Sequence, residues 1–191
     1  MDWKNVQRDF IERTLKLLWQ YDTYLNSKLN NQIDFEELEV TLLINCLTGL
    51  LVFPYEYAAR DKKTGSAQIC QDDTITLLNL DKKWGLQNTK IEFISDFDQK
   101  IVNPPLNASL RIFIYRMRNS ISHSRFFAAA NIQSEGVGVI YNNTKYDQDK
   151  SKIEKLVFQD INNRFKAIIS VEALRQFAGT LANEILIFNS R

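Results

Sequence analysis

The first thirty residues set the strongest constraint on the fold. Apolar side chains at Trp3, Val6, Phe10, Leu17, Leu18, Tyr21, Leu25 and Leu29 recur mostly in steps of three and four, with polar residues between them. One face of an α-helix repeats at that interval, so the pattern predicts a helix of about 25 residues. Asn30-Asn31-Gln32 ends it, and Asp34 followed by Glu37 has the form of a capping box that opens a second helix. This second helix runs through the apolar stretch from Val40 to Phe53 and reaches Pro54 or slightly beyond. Two long helices joined by a short turn suggest an antiparallel pair. The apolar stretch is interrupted by Thr41, Asn45 and Thr48 and is shorter than the ~20 residues of a membrane span, so it reads as a buried helix and no membrane partner is expected.

The scarcity of turn residues agrees with a helical chain. Six glycines and three prolines in 191 residues are too few for a sandwich or barrel, which needs a turn signal every ten residues or so. Two cysteines, Cys46 and Cys70, cannot build a disulfide framework and do not have zinc-ligand spacing, which fits a reducing cytoplasm. Met1-Asp2-Trp3-Lys4 leads directly into the helical pattern, so no leader segment is expected. One domain spanning 1–191 is the expectation for a chain of this length.

Between Arg60 and Pro105 the periodicity weakens: short helices are read at Thr74–Leu80 and Ile91–Phe97. After Pro104-Pro105 it returns, with Leu106, Leu110, Phe113, Met117 and Ile121 spaced by four and three in a helix that closes near Ser122. Short apolar runs at Phe126–Ile132, Gly136–Tyr141 and Leu156–Ile161 then read as two or three strands. Ser170 is placed as the N-cap of a closing helix, with Val171, Leu174, Phe177, Ala178, Leu181, Ile185 and Phe188 on one face.

On a helical wheel, Leu106, Leu110, Phe113, Ile114, Met117 and Ile121 form one apolar stripe. Arg111 and Arg118 lie on its flank. Asn119 and His123 share the side opposite the core, with Tyr115 and Arg116 beside them. No acidic residue occurs between Asp98 and Glu135, although the chain carries 23 acids against 24 bases. That interval holds Lys100, Arg111, Arg116, Arg118, Arg125 and His123, the only histidine. Positive charge gathered around one imidazole suits a phosphate-bearing ligand. The ordinary alternative is a solvated helix face ended by a histidine that the helix dipole favours.

The string Arg118-Asn119-Ser120-Ile121-Ser122-His123 resembles the signature of the HEPN superfamily, an Arg, a polar residue, a few variable residues and a His at the end of one helix of a bundle. The resemblance implies a mainly α fold, a HEPN-like four- to five-helix up-and-down bundle with a small antiparallel β insertion, here about 126–169, before the last helix. It also implies a cofactor-free, metal-independent endoribonuclease that acts as a toxin, an abortive-infection effector or an RNA-processing factor. A catalytically silent dimeric module that binds RNA or nucleotide is the alternative.

In the catalytic reading Arg118, Asn119 and His123 act on the phosphate, while Arg111, Arg116 and Arg125 are candidates for backbone binding, and Tyr115 or Phe126 for base stacking. Solvated arginines and core aromatics are the competing reading for these last five. Asp72-Asp73 and Asp96-Phe97-Asp98 are expected to cap helices or decorate loops, and no metal site is expected. The expected partners are an RNA substrate, a second copy of the chain and, for a toxin, an antitoxin protein. Some family toxins carry a Tyr, modified by a partner enzyme, two positions beyond the His; Arg125 stands there in this chain. Arg118 and His123 are five residues apart, hence about 140° apart around a helix. A homodimer resolves this divergence, with Arg118 of one copy approaching His123 of the other across a two-fold axis.

Overall fold

The computed structural model describes residues 6–28, 36–52, 69–129, 153 and 155–188. It is mostly helical, with four α-helices and a small antiparallel sheet among the described residues. Helix α1 spans Val6–Lys28, and α2 spans Glu36–Leu47 before passing into a wider π turn over Thr48–Val52. The π turn brings Leu50 and Leu51 into the core. At Gly49 a Cβ would overlap the Phe10 ring, so a larger residue there would force that ring to shift. The capping box at Asp34, the expected end of the second helix near Pro54 and the strand read at Gly136–Tyr141 fall outside the described residues.

Helix α3, Leu110–Ser122, begins later than its periodicity suggests. Pro105–Asn107 forms a separate 3-10 turn, and Leu106, expected on the core stripe, is 43% exposed. The reason is the cap: Ser109 is extended, and its side chain accepts from the Ile112 N–H, which fixes the first helical residue at Leu110. The rest of the stripe, Leu110, Phe113, Ile114, Met117 and Ile121, is buried as expected. Helix α4, Val171–Phe188, closes the fold, and Ser170 caps it as the sequence indicates, accepting from the Ala173 N–H at 3.0 Å.

Strands β1 (Lys90–Ile94), β2 (Phe126–Ala129), β3 (Lys155–Gln159) and β4 (Phe165–Ser170) form one antiparallel sheet in the order β1-β4-β3-β2. Only three of these lie in the expected insertion. β1 replaces the short helix read at Ile91–Phe97, because Ile91 and Phe93 alternate with exposed Lys90 and Glu92 and pair with β4. The helix read at Thr74–Leu80 is likewise a single 3-10 turn, Leu77–Asn79, preceded by a bridge from Thr76 to Ser109.

The core is organised around Phe113 of α3. Its fully buried ring meets Phe165 of β4 edge-on at 5.9 Å and Phe177 of α4 edge-on at 5.6 Å, tying helix, sheet and closing helix together. Phe113→Ala is expected to cost about 3–5 kcal/mol in denaturant unfolding, the range for a large buried aromatic. A loss below about 1 kcal/mol would mean that the three elements do not share this contact.

Candidate active site

The polar motif lies in the last turns of α3 and in the corner that follows. His123 is the C-cap, and Ser124 adopts a left-handed backbone at φ 53°. The Ser124 N–H donates to the Ile121 carbonyl at 3.0 Å and the Arg125 N–H to the Ser120 carbonyl at 2.7 Å. This paired ending stops the helix and turns the chain at once into β2. The Arg125 carbonyl then accepts from the Gln159 N–H at 2.9 Å, so the corner is tied to β3 as well. The sole histidine is therefore held on a fixed backbone with its side chain exposed to solvent.

Arg116, Tyr115 and Asn119 do not face solvent as the wheel suggests. The turn after β1, with Ser95 and Asp96, and the turn after β3, with Asp160, lie against this part of α3, so the face beside its core stripe is covered too. Arg116 is 3% exposed. Its Nη1 donates to Asp160 Oδ2 at 2.7 Å, its Nε to the Ser95 carbonyl at 3.1 Å, and its Nη2 to Ser95 Oγ at 3.0 Å and the Asp96 carbonyl at 2.7 Å. A guanidinium with four donors committed inside the protein is not placed to grip RNA. Arg116 is thus a structural residue, which corrects its reading as a backbone-binding one. Tyr115 packs against the core with its ring 4.8 Å from Phe97, and Phe126 lies 6.2 Å from Phe158. Both are partly buried packing aromatics.

Asn119 is buried beside this ion pair. Its Nδ2 donates to Asp160 Oδ2 at 3.5 Å, and its Oδ1 accepts from Arg118 Nη1 at 2.7 Å. The motif's Arg and Asn are thereby joined directly, and Arg118 stays half-buried beside Asn119. Arg125 is also half-buried at the corner. Arg111 stands at the other end of α3, about 10 Å along the axis from Arg118. There it pairs with Asp73 and lies 4.6 Å over the Phe97 ring. The structure brings together Arg118, Asn119 and His123 on the last turns, with Arg125 following, and leaves Arg111 apart.

Asp160 is the residue that sequence reading missed. It sits at the end of the apolar run Leu156–Ile161, the one acid in that run, and its partner Arg116 is 44 positions away. The other acids behave as expected of caps and loops. Asp73 accepts from the Ser109 hydroxyl at 2.9 Å, and Asp96 accepts from the Lys100 N–H at 2.7 Å. Hydrogen bonds from the Thr74 hydroxyl and N–H hold the Asp72 carboxyl below its ordinary range. Burial pushes the thiols of Cys46 and Cys70 up to about 11 and about 12, so neither is a ready nucleophile. Among the described residues no group of three His, Cys, Asp or Glu is placed to hold a metal ion, and no helix is long and apolar enough to cross a membrane.

A family model described as HEPN pEK499 p136 matches residues 1–190. The chain belongs to this HEPN family. No curated protein and no solved structure matches the chain.

Removing the buried guanidinium while leaving its carboxylate is expected to be costly. Arg116→Met should lower unfolding stability by about 3–5 kcal/mol, and the pair Arg116→Met with Asp160→Leu should recover part of that loss because no lone charge remains buried. A single variant as stable as the parent would contradict the enclosed ion pair.

Proposed function

We propose that this protein is a metal-independent endoribonuclease that works as a homodimer, with one cleft built from the α3 ends of two copies of an up-and-down bundle. The observation that carries the reading is the placement of Arg118, Asn119 and His123 on the last turns of a central helix in a HEPN chain, with the imidazole exposed on a fixed corner.

The chemistry follows from the two ionisable types. A neutral imidazole accepts the proton of the attacking 2′-hydroxyl, and the imidazolium so formed returns a proton to the leaving 5′-oxygen. The Arg118 guanidinium stays charged and offers paired donors to the phosphate oxygens, where negative charge builds as the 2′-oxygen attacks. Asn119 supplies the contact that aims Arg118. The P–O bond to the 5′-oxygen breaks as the bond to the 2′-oxygen forms, leaving a 2′,3′-cyclic phosphate and a 5′-hydroxyl. Arg125 lies two positions beyond His123 and extends the positive surface along the RNA backbone.

Within one chain Arg118 donates to Asn119 of its own helix and His123 caps the helix end; residues five apart on a helix diverge by about 140°. A two-fold partner supplies the complementary half. A toxin or defence role, with a separate antitoxin protein as partner, is the biological setting proposed for such an enzyme.

In EDTA the wild-type protein is expected to cleave RNA and leave cyclic phosphate ends. His123→Ala and Arg118→Ala should each lose about 10²-fold or more in rate while still binding RNA. Binding without cleavage by the wild type would instead identify a silent RNA-binding module, and cleavage that requires added metal would contradict the mechanism.

A further inference from the structure

We propose that Asp160, in the turn between β3 and β4, is a positioning residue for the motif, acting through Asn119 to set the aim of Arg118. The proposal rests on the ribonuclease reading for its functional consequence and on the buried network for its geometry.

Two donor groups meet at one oxygen. Asp160 Oδ2 accepts from Arg116 Nη1 at 2.7 Å and from Asn119 Nδ2 at 3.5 Å, with both side chains of the ion pair at most 4% exposed. A carboxylate only accepts hydrogen bonds and a guanidinium only donates them. An amide placed between the two has one satisfactory orientation: its NH2 turned to Asp160 and its oxygen turned to Arg118. That orientation is the one present, with Arg118 Nη1 2.7 Å from Asn119 Oδ1. A neutral or reversed neighbour at 160 would leave the amide free to turn its NH2 toward Arg118, where two donors would oppose each other.

The carboxylate is itself fixed. The Asp160 N–H donates to the Phe165 carbonyl at 3.1 Å, closing the β3–β4 turn, and Arg116 anchors the carboxylate to the Ser95–Asp96 turn that follows β1. Replacing a buried ion pair with apolar groups often preserves or raises stability, so the pair is weakly explained by stability alone. Its position beside the motif gives it a second use. Arg116, expected to touch RNA, serves the site from within by holding Asp160.

The test compares wild type, Asp160→Ala, Asn119→Ala and the double variant, well below their melting temperatures, on a labelled mixed-sequence single-stranded RNA. It also follows hydrogen exchange of the Asn119 side-chain amide by NMR. Asp160→Ala is expected to lower kcat by about tenfold or more with little change in KM, the effect of a misplaced charge on the chemical step. It should speed exchange of the Asn119 amide, and adding Asn119→Ala should lower kcat no further. Should Asp160→Ala not fold, the charge-free pair Arg116→Met with Asp160→Leu gives the same three readings. An unchanged kcat, an Asn119 amide as protected as before, or losses that multiply in the double variant would overturn the proposal. A wild-type protein that cleaves no RNA would overturn the ribonuclease reading instead, and the Asn119 exchange would then decide the role of Asp160 by itself.

Discussion

A guanidinium taken out of water on the flank of α3 governs how the two halves of this fold meet. Burying a charge costs several kcal/mol unless it is paired and hydrogen-bonded, and Arg116 meets that demand only with groups from elsewhere in the chain. Ser95 and Asp96 come from the turn after β1, and Asp160 comes from the turn between β3 and β4. None of these partners is available unless the sheet is docked on the helix. Phe113 does the same work from the apolar side through Phe165 and Phe177. With the sheet so placed, β2 has to start where α3 stops, and the tight corner at His123–Arg125 is the consequence.

The helices were legible because their burial is periodic. Leu110 through Ile121 repeat at three and four, and Ser170 stands where an N-cap belongs, so both helices around the sheet were placed from the residues themselves. β1 was not, because in a window of five residues Ile91, Phe93 and Ile94 fit a helical or an alternating pattern equally, and pairing with β4 decided the matter. The motif was legible as a string, but its surroundings were not. A helical wheel assigns one buried side, whereas α3 has two, so Arg116 and Asn119 were expected in solvent. Asp160 gave no local signal because its meaning depends on residues 41 and 44 positions away.

The site therefore has an inner and an outer layer. Arg116 and Asp160 are inside, and they belong to the scaffold as much as to the motif. Asn119 connects the layers, since one end of its amide meets the buried carboxylate and the other meets Arg118. Arg118, His123 and Arg125 carry the positive charge and the imidazole of the α3 end, in the stretch of chain that has no acid of its own. Such an arrangement ties Arg118 to a buried reference and leaves the imidazole open to solvent.

The central functional claim is that a working site takes its arginine from one copy and its histidine from the other. Mixing Arg118→Ala with His123→Ala and allowing subunits to exchange tests it directly. Each mixed dimer then holds one site with both residues intact and one with neither. Random exchange makes half of the dimers mixed, so activity should return to about a quarter of the wild-type value. Two inactive proteins that stay inactive after exchange would contradict a shared site and assign both residues to the same chain.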